Sequence, residues 1–126
     1  MPEATPTTDM GLRDRQSLLV KCLGELIRYA TERGYELTLG EAFVQRLRPA
    51  RNGVFFEDGL HMADSLHYQR LAIDVNLFVN GEYITDSENF VWVDLGGFWE
   101  SLDPQCAWGG RFKDGNHLSI RYKGKA

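Results

Sequence analysis

The chain has 126 residues, enough for one domain around one core and too few for two ordinary ones. A hydrophobic share of 43% and a charged share of 25% are those of a globular protein, and the formal net charge of -4 argues against an electrostatic grip on nucleic acid or on an anionic membrane. No apolar run approaches membrane-spanning length, so stable membrane insertion is not expected, and the basic closing stretch "RYKGKA" reads as a solubilising tail.

Residues 1 to about 10, rich in Pro and Thr, predict a flexible N-terminus, leaving residues 11 to 126 as the single domain. The opening "MPEATPTTDMGLRDRQ" has no apolar core, so no secretory signal is expected and the chain should begin in the cytoplasm. From Arg13 to Arg33 the residues Leu18, Leu19, Cys22, Leu23, Leu26, Ile27 and Ala30 recur at helical spacing, and Gly34 stands where a glycine cap would. "YELTLG" alternates like a short strand and should turn near Gly40. In residues 41 to 64, "EAFVQRLRPARNG" suggests a helical turn broken by Pro49, and "VFFEDGLHMAD" reads as an irregular loop of a length that is usually functional or disordered.

"LAIDVNLFVNGEYI" predicts a hairpin, because Asn80-Gly81 between apolar runs is the strongest short turn signal. "SENFVWVDLGGFWESLD" predicts a helix capped by Ser87 and interrupted at Gly96-Gly97, and "HLSIRY" a final strand. The order implies an α+β domain with helices packed on a small, mainly antiparallel sheet. Cys22 and Cys106 lack the paired spacing of a zinc ribbon or redox motif and are expected to be two buried thiols.

One residue resists this bland reading. Asp74 falls in the middle of an apolar strand, where a carboxylate needs a counter-charge, and Arg70, solvent or a bound cation could supply it. Only a cation also gives His67 a role. Zinc in a hydrolase takes three protein ligands from imidazole nitrogen and carboxylate oxygen, and His67, Asp74 and His117 would supply that set. A regular strand would put His67 and Asp74 on opposite faces, so His67 is expected in a loop or bulge just before the strand. Asp114, three positions before His117 across a Gly-Asn turn, is placed as a general base would be. Taken singly, each residue has a simpler explanation: His67 and His117 as unrelated surface residues, Asp114 as a turn aspartate, and Asp74 as the partner of an arginine. His61 is also available, and spacing does not exclude it as a ligand.

"SLHYQRLAID" together with "DGNH" resembles the two motifs of the zinc-dependent D-alanyl-D-alanine carboxypeptidases and L-alanyl-D-glutamate endopeptidases, the VanY-like group that includes many phage endolysins. Ser65, His67, Ala72 and Asp74 match the first motif, and "FWESLDPQCAWGGRF" looks like the segment between the motifs in the phage branch, so that the likeness runs from about Leu18 to Ile120. The resemblance implies a fold of the Hedgehog/DD-peptidase type, zinc held by His67, Asp74 and His117, and Asp114 as catalytic base. It also implies that Ser65 supports the ligands by hydrogen bonding, while Trp108 with Gly109-Gly110 shapes the cleft wall or packs in the core.

Two positions depart from the pattern. Arg70 stands where the first motif has glycine, and Val44 stands where an arginine that steadies the substrate carbonyl is common; Arg46, Arg48 or Arg51 would have to reach instead. The implied activity is hydrolysis of a stem-peptide amide bond of bacterial peptidoglycan, with L-Ala-D-Glu cleavage first. D-Ala-D-Ala carboxypeptidase action, or a catalytically weak wall-binding domain of the same fold, is the alternative. A monomeric lysin made in the host cytoplasm, acting on the wall after release, fits the resemblance.

Overall fold

The computed structural model describes residues 10–41, 48–49, 55–56, 66–124 and 126; the side chains of residues 48, 49, 55, 56, 67 and 68 lie outside that description. In chain order the elements are helix α1 (Leu12–Glu32), strands β1 (Glu36–Leu39), β2 (Arg48–Pro49) and β3 (Phe55–Phe56), a 3-10 helix (Leu66–Gln69), β4 (Ala72–Val79), β5 (Glu82–Ile84), α2 (Phe90–Leu102), β6 (Cys106–Trp108), a second 3-10 helix (Gly109–Phe112) and β7 (His117–Ile120). The α+β class and the mostly antiparallel sheet expected from the sequence are present.

Helix α1 turns its Leu19, Cys22, Leu26 and Ala30 stripe into the core. It closes where the glycine predicted: Gly34 has φ +78, its N–H donates to the Thr31 carbonyl at 3.1 Å, and the Tyr35 N–H donates to the Ala30 carbonyl at 2.9 Å, the paired bonds that satisfy a helix C-terminus. Helix α2 is made of residues with modest helix propensity, and burial decides the issue: Val91, Trp92, Leu95, Gly96 and Trp99 are all buried. Its cap is Asn89, whose side chain accepts the Val91 N–H at 2.9 Å, in place of the expected Ser87, and the helix runs through Gly96-Gly97 without interruption. Asp94 ties the two helices together by accepting from the hydroxyls of Tyr29 at 2.5 Å and Tyr35 at 2.9 Å.

The five-stranded sheet has the order β1-β4-β7-β6, with β5 also paired to β4. Leu77 is opposite both Leu37 of β1 and Ile84 of β5, so β1 holds one edge of β4 while β5 and β7 share the other. The β4-β5 hairpin turns at Asn80 and Gly81 with φ of 51° and 80°, the left-handed pair that an Asn-Gly turn supplies. Along β4 the residues Val75 and Leu77 enter the core, whereas Asp74, Asn76 and Phe78 alternate onto the outer, half-exposed face.

Two readings of the sequence are corrected here. Arg48–Pro49 and Phe55–Phe56 pair as a short antiparallel ladder where a turn broken at Pro49 and an irregular loop were expected, and the rest of residues 42–64 lies outside the described residues. A two-stranded ladder has only edge strands, which tolerate the missing N–H of Pro49, and Phe favours extended backbone. Strand β6, which the sequence reading did not single out, pairs with β7 and completes the sheet. Residues 1 to 9 of the expected flexible terminus lie outside the described residues.

Cys22 and Cys106 are free and buried, with Sγ atoms 3.6 Å apart. Burial pushes both thiols above the ordinary range. Among the described residues no helix is long and apolar enough to cross a membrane.

Candidate functional site

Asp74 and His117 lie directly opposite each other on β4 and β7. The backbone of Asp74 is satisfied on the other edge of β4, its N–H donating to the Glu41 carbonyl at 2.6 Å and its carbonyl accepting the Gly40 N–H at 2.8 Å. Toward β7 the pair is therefore of the non-hydrogen-bonded kind, in which facing side chains approach most closely. Nδ1 of His117 lies 3.3 Å from Oδ1 of Asp74, and the side chains retain 16% and 22% exposure respectively. They are sheltered yet reachable.

Asp114 is fused to this pair through the backbone. Its carbonyl accepts the His117 N–H at 3.1 Å, and its own N–H donates to the Gly109 carbonyl at 3.0 Å. A Cβ on Gly109 would fall 2.9 Å from the Cβ of His117, 3.3 Å from that of Asp114 and 2.4 Å from the Asp114 carbonyl oxygen. Any side chain at 109 would thus push the turn away from the strand. Gly40 does the same service for Asp74, whose Cβ would meet an added Cβ at 3.2 Å. The Asp114 residue is exposed.

Trp108 braces the turn from behind. Its indole N–H donates to the Gly115 carbonyl at 2.7 Å, and the indole occupies space that Cβ atoms on Gly96 and Gly110 would invade, at 2.0 and 2.1 Å. Glu100 accepts from the Trp108 backbone N–H at 3.2 Å and pairs with Arg111 at 2.7 Å, while the hydroxyl oxygen of Ser87 accepts the Gly115 N–H at 2.8 Å. Ser87, expected as a helix cap, is instead a pin between two loops. Trp108 is half-buried and packs against the core.

His67 falls in the 3-10 helix Leu66–Gln69, off the strand, with its side chain outside the described residues. Ser65, His61, Val44, Arg46 and Arg51 are outside them altogether, and Arg48 is described only as backbone of β2. Among the described residues no group of three or more His, Cys, Asp and Glu is gathered as a metal site. Arg70 has φ 58, so the position where the resembled motif carries glycine is one whose left-handed backbone explains a glycine preference. Sequence reasoning missed the packing roles of Gly40, Gly96, Gly109 and Gly110; the glycines beside Trp108 were the visible signal.

A neutral imidazole nitrogen and a carboxylate oxygen on one side of a sheet can share a proton or a divalent cation. Two donors at about 2.0–2.1 Å from zinc, subtending a tetrahedral angle, stand roughly 3.3–3.4 Å apart. A strong imidazolium–carboxylate hydrogen bond would be shorter, about 2.7–2.9 Å. The 3.3 Å separation of Nδ1 and Oδ1 is that of a long hydrogen bond, and the two donors are also of the types that zinc takes. No family model matches the chain, and no curated protein matches it.

Proposed function

We propose that this chain is a zinc-dependent peptidase that hydrolyses a stem-peptide amide bond of bacterial peptidoglycan, with the L-Ala-D-Glu bond as the first assignment and D-Ala-D-Ala as the alternative. The observation that carries the metal half of this reading is the Asp74–His117 pair, with its donor atoms 3.3 Å apart at a sheltered, accessible point of the sheet. The substrate half rests on the resemblance of "SLHYQRLAID" and "DGNH" to the cell-wall peptidase motifs.

Asp74 and His117 would hold the ion, with His67 as the third ligand. Zinc, when bound, supplies a Lewis acid that polarises the scissile carbonyl and lowers the pKa of water toward about 7. The carboxylate of Asp114 takes the proton of the attacking water and returns it to the leaving nitrogen, so that the same side chain serves as base and then as acid. Because the Asp114 backbone is bonded to both His117 and Gly109, the base keeps its register with the ligand through both transfers. A cation from Arg46, Arg48 or Arg51 would offset the oxyanion. On this reading Asp74 is tolerated in an apolar strand because a divalent charge compensates it. A chain of this kind, made in a bacterial cytoplasm, would act as a phage lysin on the wall after release.

The test is digestion of purified peptidoglycan by protein stripped with chelator and reloaded with zinc, followed by mass spectrometry of the fragments. New amino termini on D-Glu support the first assignment, and release of D-Ala supports the alternative. Zinc-loaded protein that frees neither ends the enzyme reading, and an Asp114→Ala variant as active as the parent removes Asp114 as the base. A chain that takes up no zinc after reconstitution returns His117 and Asp74 to a plain hydrogen-bonded pair.

A further inference from the structure

Beside Asp114, between the β4-β5 hairpin and the 113–116 turn, lies a recess of about 170 Å3 whose lining includes Asn76, Tyr83, Ser87, Lys113, Asp114 and Asn116. It is smaller than the roughly 300–1,000 Å3 of whole-ligand pockets, and so has the dimensions of a subsite. Its walls are fixed: Ser87 bonds Gly115 at 2.8 Å, and a Cβ on Gly115 would lie 2.8 Å from that hydroxyl oxygen, so the two loops meet without slack.

Three features give the recess a chemical preference. Asn76 is the next outward-facing residue of β4 after Asp74, one pleat or about 6.6 Å along the strand, the distance an extended peptide covers in two residues. The Asn76 amide is held in place, its Nδ2 donating to the Thr38 hydroxyl at 3.2 Å and its Oδ1 accepting from the Tyr83 hydroxyl at 3.4 Å, which leaves one further N–H and one lone pair to offer. Lys113, the one cation among the described lining residues, has φ 61, a left-handed backbone that a lysine adopts at a cost, and among the described residues its ammonium makes no ion pair.

We propose that this recess receives the carboxylate of an acidic residue adjoining the scissile bond, read by the Lys113 ammonium and by the spare amide N–H of Asn76. The proposal rests on the peptidase reading above and gives it a source of selectivity: a substrate whose carboxylate is free should be preferred over the same substrate with that group amidated.

The experiment uses the zinc-loaded full chain and two synthetic stem peptides that differ only in whether the glutamate carboxylate is free or amidated. For the parent, KM for the amidated peptide should exceed that for the free acid by roughly tenfold, the worth of a hydrogen bond to a charged group. Lys113→Asn, whose side chain tolerates left-handed backbone, should bring that ratio close to one, and Lys113→Arg should restore most of it. Circular dichroism and urea midpoints on both variants report whether the turn has survived. The subsite is overturned if the parent cuts both peptides with equal KM, or if Lys113→Asn keeps the preference. If the parent cuts neither peptide, the peptidase reading falls first and takes the subsite with it.

Discussion

Replacing Gly96 by alanine tests the packing that holds the candidate base in place, and Gly97 next to it provides the control. Both residues lie inside α2, where alanine is favoured over glycine by about 0.5–1 kcal/mol. At Gly97 an added Cβ meets nothing within 4 Å, so Gly97→Ala should stabilise the protein by about that amount. At Gly96 the Cβ would sit 2.0 Å from Cδ2 of Trp108 and 2.4 Å from Cε2 and Cε3, too close for the indole to stay where it is. Forcing such a contact in a packed interior costs about 1–3 kcal/mol. Shifting the ring also lengthens its 2.7 Å bond to the Gly115 carbonyl, worth about another 1 kcal/mol. After subtracting the helix gain, Gly96→Ala should destabilise by about 1–3 kcal/mol, so the two variants should differ by about 2–4 kcal/mol. Urea unfolding followed by far-ultraviolet circular dichroism measures this through the midpoints at constant m. If Gly96→Ala proves as stable as Gly97→Ala, Trp108 is not lodged against α2 and the brace behind the 113–116 turn does not exist.

Other substitutions separate the roles assigned to the site. Asp114→Asn should lower kcat by about 10²- to 10⁴-fold while zinc content, measured by atomic emission, stays at the parental level. His117→Ala and Asp74→Ala should lose the metal together with the activity, and retention of a full zinc equivalent by either would remove that residue from the ligand set. Gly81→Ala places a side chain on backbone at φ 80 and should cost about 1 kcal/mol in the same urea assay, whereas a neutral result would mean the hairpin turns differently. The Tyr29 phenol is raised above its ordinary value of 10.0, first by donating to Asp94 and then by burial. Its contribution to stability is therefore complete below that ordinary value and lost as pH rises through the higher folded value, and Tyr29→Phe should flatten stability measured across the alkaline range. Cys22 and Cys106, buried and raised in pKa, should react with a chromogenic disulfide reagent only at the rate of unfolding; fast labelling of the native protein would contradict their burial.

Local chemistry made much of the fold readable in advance. The apolar stripe of α1, the Gly34 cap and the Asn80-Gly81 hairpin are each set by neighbours within a few residues, and each stands where its residues indicated. The misreadings have one physical source. Gly96-Gly97 looked like a break because glycine disfavours helix, but Gly96 is answered by an indole arriving from a strand twelve residues downstream, which no local rule contains. Ser87 looked like a cap for the same reason, although its hydroxyl is engaged by Gly115 and Asn89 does the capping. For the site, the polar letters were visible and the partnership was not. Asp74 announced itself as a carboxylate in an apolar strand, while its meeting with His117 depends on the register of β4 against β7, set by strands 43 residues apart in sequence.

The position of β4 has a thermodynamic corollary. This strand is hydrogen-bonded along both edges, to β1 on one side and to β5 and β7 on the other, so it cannot come free unless the whole sheet is lost. A ligand seated on Asp74 therefore draws on the global unfolding equilibrium, and its affinity is returned in full as added resistance to denaturation, about 2.7 kcal/mol at a hundred times its dissociation constant. Occupancy of the proposed centre can accordingly be followed by melting temperature alone, whether or not the protein has a substrate.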